Sequence, residues 1–202
     1  MGKKYEFTGE VNADGLKRIR ALRDIPKSGV RAGDLGGWLE KEENLSHYYT
    51  CWVFNQAKVY NDAFVGSDAL IFDTATICGN AVVGDEAQVF DEVIIRDSAL
   101  VTGNAMLFSN ATVCDTAFVG GNAEVTDNVI IRGASEVLDN VTLSGSVCVS
   151  GTAKIYKQAH YYEDERFSVG QHVGTSRYKA DMDILESDSA LAKELLKMMK
   201  HG

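Results

Sequence analysis

From Trp52 to Ala159 the chain divides into sixes without remainder. The run opens WVFNQA, KVYNDA, FVGSDA, LIFDTA, TICGNA, VVGDEA and closes TLSGSV, CVSGTA, KIYKQA, making 18 hexads with no insertion. A fixed short period marks a solenoid, in which each unit buries itself only against its neighbours. Six residues do not fit a helical period of 3.6. The second positions (Val53, Val59, Val65, Ile71, Ile77 and onward) are all Val, Ile or Leu, side chains that strands favour. The sixth residue, mostly Ala or Val, lies two before the next aliphatic, so strand alternation sends both to the inner side. Gly, Asn, Asp, Ser and Thr dominate the fourth and fifth positions and supply corners that tolerate left-handed backbone.

A second period sets the number of sides. The third residue of every third hexad reads Phe54, Phe72, Phe90, Phe108, then Thr126 and Ser144. The other two registers read Gly66, Gly84, Thr102, Gly120 and Tyr60, Cys78, Arg96, Cys114, Arg132, Ser150. These registers differ in character, so the true coil is 18 residues and three hexads make one turn. The expected fold is an all-β, three-sided parallel solenoid of about six coils.

The pattern [VIL]-x-x-x-[AV]-x resembles the hexapeptide repeat of left-handed parallel β-helix proteins, and the resemblance implies the left-handed winding and a trimer. Upstream, "LKRIRALRDI" and "GDLGGWLEKEENLSH" are similar to the leader of phage- and prophage-encoded hexapeptide-repeat proteins, some described as acyltransferases. Residues 1–51 are expected to form an N-terminal β cap over the open first coil, with "RIRAL" as a strand and Gly36-Gly37 as a tight turn. Residues 52–159 form the rod. After Ala159 the ruler breaks, and residues 160–202 are expected to end in an amphipathic α-helix over "SALAKELLKMMK", 189–200.

Bulk properties exclude several classes. A net charge of −9 argues against affinity for nucleic-acid backbones or anionic membranes. No stretch approaches the roughly 20 apolar residues of a membrane helix, and the N-terminus lacks the apolar run of a signal peptide. The four cysteines show no CxxC spacing, which points to a reduced, cytoplasmic protein (host cytoplasm if phage-encoded) with no zinc site. No cofactor or metal is expected. The stacked corner acids Asp73 with Asp91 and Asp97 with Asp115 are accounted for by turn chemistry.

Acyltransferases of the resembled family use a His as general base on the acceptor, because imidazole titrates near neutrality. Here the histidines are His47, His160, His172 and His201, and none lies in the repeat. His160 and His172 are the candidates for such a base, within a polar-aromatic stretch that also holds Tyr161, Tyr162, Arg177 and Tyr178.

The outward positions carry more. Trp52, Phe54, Leu70, Phe72, Phe90, Met106 and Phe108 are expected to form one apolar strip, and Phe64 and Phe118, with Val82 and Leu100, a second. Such strips exceed what a monomer ordinarily leaves open and suggest packing against copies of the same chain. The third face reads as polar and places Arg96 and Arg132 two coils, about 10 Å, apart. With His172, Arg177 and Tyr178 they are candidates for gripping a small anionic ligand.

Three functional readings follow. The first is a non-catalytic oligomeric binding protein of phage type, sequestering a nucleotide signal or occupying a host defence protein. The second is an acyltransferase. The third is an acidic nucleic-acid mimic, since residues 52–159 hold 13 acids against 5 bases.

Overall fold

The structure is a computed structural model that describes residues 2–162 and 164–169. It is a three-sided parallel β-helix. Each hexad contributes a two- or three-residue strand at its first positions, as at Trp52–Val53, Lys58–Val59 and Phe64–Val65. Within the rod each strand pairs in parallel with the strands 18 residues before and after it, as Gln88 does with Leu70 and Met106, while strands of the end coils have that partner on one side only. Three sheets result, each collecting every third strand of the rod.

Side chains at the second and sixth positions fill the interior. Val53, Val59, Ile71, Ile77, Ala57 and Ala69 have no exposed surface, and their equivalents are buried. Alanine at the sixth position leaves room for the branched residue across the coil, so the prism closes at close-packed density. Ser135 replaces alanine in one hexad and is also buried, with its hydroxyl donating to the Arg132 carbonyl at 2.8 Å. That bond removes the cost of an unpaired hydroxyl in the core.

The corners explain the fourth position. The fourth residue of all 18 hexads has positive φ, from Asn55 at 50° through Asp115 at 61° to Gly133 at 73°. Asn, Asp and Gly are the residues that enter this region most readily. Asp adds a second contribution. The Asp91 carboxylate accepts the Ser109 amide (2.9 Å), Asp115 that of Gly133 (2.8 Å), Asp127 that of Gly145 (2.8 Å) and Asp139 that of Lys157 (2.9 Å). Each acid thus ties its corner to the next coil.

The N-terminal block is a cap, as expected, and is joined to the rod by sheet pairing. Strands β1 (Tyr5–Val11) and β2 (Lys17–Ala21) pair antiparallel. Strand β3 (Leu35–Leu39) pairs antiparallel with β2 and parallel with Lys58–Val59 through Trp38 and Leu39. Gly36 and Gly37 therefore lie in a strand, where a turn was expected. Their role is close approach: a Cβ on Gly37 would meet the Ala57 carbonyl at 2.5 Å, and one on Gly36 would meet Ile19 Cγ1 at 2.6 Å.

Rod pairing also runs beyond the expected 52–159 at both ends. Leu45 bridges Val65, and Ala159–Tyr161 and Arg166–Phe167 continue the 18-residue register against Val141–Leu143 and Cys148–Val149. The rod has about seven turns, not six. Tyr161 and Phe167 occupy the aliphatic position, with ring centroids 4.7 Å apart, and so disguise the last coil in the sequence. The helix expected over 189–200 lies outside the described residues.

Asp127→Ala should lower unfolding free energy by about 1–2 kcal/mol, through loss of the Gly145 bond and strain at positive φ. Asp127→Asn, which keeps an acceptor and tolerates the conformation, should lose clearly less in urea unfolding. Equal losses for the two would contradict this reading of the corner.

Candidate binding faces

On the face built from Trp52–Val53, Leu70–Ile71, Gln88–Val89 and Met106–Leu107, four phenylalanines stack in register. Ring centroids of Phe54 and Phe72 lie 4.5 Å apart, Phe72 and Phe90 4.7 Å, and Phe90 and Phe108 5.1 Å. Interplanar angles do not exceed 10°. The stacking follows from the fold, because coils about 4.8 Å apart place identical side chains at ring-stacking distance. Each ring is half-buried by its neighbours. Leu70 packs partly on the core, and Met106 is exposed beside the ladder.

Trp52 does not belong to this strip. Its side chain is fully buried, with the Tyr5 ring of β1 edge-on at 6.3 Å. The cap strand covers the first coil at that point.

The second apolar strip is flatter than expected. Phe64, Leu100 and Phe118 are half-buried and Val82 is buried. The Phe118 ring lies over Gly120, where a Cβ would meet Phe118 Cζ at 3.0 Å. The glycines of this register make room for rings laid along the face.

The third face departs from the purely polar surface read in the sequence. Ile94 and Ile130 are exposed at 40% and 42%, on the strands that lead into the exposed Arg96 and Arg132. Arg96 Nη1 donates to Asp97 Oδ2 at 2.6 Å. Between the arginines Cys114 is buried, and desolvation pushes its thiol up despite both guanidiniums. Asp97, Cys114 and Asp115 place their ligand-type atoms within 4.8 Å of one another. The acids already have work: Asp97 accepts the Asp115 amide at 3.2 Å and Asp115 that of Gly133. Tyr60, on the same line, is pushed up to about 12, first by its hydrogen bond with Cys78 and then by desolvation.

The histidine that the structure positions most firmly is His47, which sequence reasoning passed over. Its Nδ1 accepts the Lys4 amide at 3.1 Å, so Nε2 carries the proton and donates to Glu42 at 2.7 Å. The Tyr5 ring stacks on it at 4.4 Å. Both ring nitrogens are engaged, which leaves neither free as a base. His47 and Glu42 line a cleft of about 330 Å³ with Glu43, Leu45, Ser46, Tyr48 and Phe64. No local motif announces this site, since Lys4 and Tyr5, which fix the His47 ring, lie more than 40 residues from it in the chain.

His160 is exposed, its ring 6.5 Å from that of Tyr162, and among the described residues it makes no hydrogen bond. His172, Arg177 and Tyr178 lie outside the described residues, so only Arg96 and Arg132 of the expected ligand set are placed, on one face. Among the described residues no helix is long and apolar enough to cross a membrane. No protein-family model matches this sequence, and no curated protein matches it significantly.

Glu42 supplies a pH test. Hydrogen bonds from Lys3 and then from His47 hold its carboxyl below the ordinary range. A depressed carboxylate contributes stability above its unfolded pKa and loses it as pH falls through the folded value. Glu42→Gln should therefore unfold at lower urea than the parent at neutral pH, with the gap closing once both are measured below the carboxylate range. A gap that is unchanged in acid would contradict this.

Proposed function

We propose that this chain is a non-catalytic binding rod that acts as a homo-oligomer, a trimer, in the cytoplasm. The observation that carries the reading is the ladder of Phe54, Phe72, Phe90 and Phe108, four parallel rings on an outward face flanked by exposed Met106. A flat ladder held by backbone register is pre-organised, so a second copy docks on it with little loss of side-chain entropy. Aromatic residues and Met are also the side chains that interface cores favour.

The arginine face is the surface proposed for a small anionic ligand of nucleotide class. Arg132 has a free guanidinium among the described residues, and Ile94 and Ile130 offer apolar contact beside it. Binding is favoured over acyl transfer because His47 has both nitrogens bonded and His160 has no orienting partner among the described residues. Sequestration of a nucleotide signal, the phage-type role, is the proposed use of that surface.

Native mass spectrometry of gently purified protein tests both halves. The expected spectrum is a trimer, with an adduct that is lost in an Arg96→Ala/Arg132→Ala double variant. Phe72→Glu/Phe90→Glu should give a monomer that keeps the parent circular dichroism. A monomeric parent would contradict the self-association, and an adduct unaffected by the arginine changes would contradict the ligand surface.

A further inference from the structure

The seam between cap and rod contains a lysine and a cysteine in contact, both shut away from solvent. Lys4 has no exposed surface, and neither has Cys51. Lys4 Nζ lies 3.1 Å from Cys51 Sγ, 2.7 Å from the Cys51 carbonyl and 3.5 Å from that of Tyr48. Three acceptors match the three protons of the ammonium form, and loss of one proton to the sulfur frees the nitrogen lone pair toward it. Among the described residues no carboxylate is hydrogen-bonded to the Lys4 headgroup; Asp68 and Arg23 act on it from farther off with opposite signs, and the one acidic group in contact is the Cys51 sulfur. The pair is electrically neutral either as amine and thiol or as ammonium and thiolate, and one proton shifted along the 3.1 Å contact interconverts them. Burial lowers the lysine pKa and raises that of the Cys51 thiol, so the neutral amine–thiol pair is the resting form and the ammonium–thiolate pair the minor, reactive one.

We propose that Lys4 and Cys51 form a covalent S–N cross-link under peroxide, fastening the cap to the first coil. The thiolate form attacks hydrogen peroxide, giving the sulfenic acid and water after proton return. The Lys4 amine then attacks the sulfenyl sulfur. An N–S bond forms, the S–O bond breaks, and hydroxide leaves with the amine proton as water. The sum is thiol, amine and one peroxide to sulfenamide and two waters, with peroxide as the two-electron oxidant. Contact geometry drives the second step, because the amine is held at the sulfur before oxidation occurs. Cys78, Cys114 and Cys148 are free thiols with no lysine amine bonded to them among the described residues, which makes them internal comparators.

The link joins positions 47 residues apart and would turn a packing contact into a staple. That end of the rod is where exposed pairing edges would otherwise invite aggregation.

The test uses the full chain. Treat it with hydrogen peroxide, alkylate free thiols under denaturing conditions, digest, and measure peptide masses. The expected product is one joined peptide holding Lys4 and Cys51, about 2 Da lighter than its parts for the two hydrogens lost. It should vanish on thiol reduction and be missing in Lys4→Met, where Cys51 should instead over-oxidise. The linked protein should melt about 10 °C higher than the reduced form. Because the parent chain alone gives the mass result, a variant that fails to fold leaves the test standing. Cys51 recovered fully alkylated after peroxide has oxidised the other cysteines would overturn the proposal, as would a joined peptide heavier by an oxygen atom.

Discussion

Parallel stacking of equal coils governs this molecule. Backbone donors of one coil bond carbonyls of the next at a constant offset, as from Phe72 to Val89 and from Phe90 to Leu107. A residue added anywhere between Trp52 and Ala159 would move every later side chain to another face, because side-chain direction alternates along a strand. The register therefore forces the left-handed corner at each fourth position, and it forces identical residues into columns. Phenylalanine columns become ring stacks. Asparagine columns become amide ladders, with Asn104 donating to Asn122 at 3.0 Å and Asn122 to Asn140 at 2.8 Å. Aspartate columns become corner ties.

Much of this is legible in the sequence because it is local and periodic. The aliphatic second position, the small sixth position and the turn-forming fourth each report one feature of one hexad, and together they give sides, core and corners. What escapes the sequence depends on contacts distant along the chain. Trp52 stands at an outward position by its period, yet a strand that begins at Tyr5 lies over it. Gly36 and Gly37 resemble turn residues, and only the approach of β3 to the carbonyls of Val53 and Ala57 shows why a side chain is forbidden there. Tyr161 and Phe167 break the aliphatic rule but not the spacing, so the final coil is hidden by composition.

The same division applies to the candidate sites. The phenylalanine ladder and the arginine pair follow from register alone. The exposed Ile94 and Ile130 beside those arginines also stand at readable positions, but their exposure depends on the size of neighbouring side chains. The histidine cluster and the Lys4–Cys51 contact have no sequence signal, since a lysine buried with a thiol for a partner breaks the usual preference of lysine for solvent.

The structure is a rigid, capped rod with chemically distinct faces, and the proposed function assigns packing of copies to one face and a ligand to another. The most direct test of that assignment is hydroxyl-radical footprinting of the protein above and below its association range. Phe72 and Phe90 should be strongly protected in the concentrated sample and react on dilution, while Ile94 and Ile130 should react equally in both. Phenylalanines equally reactive at every concentration would contradict packing on that face.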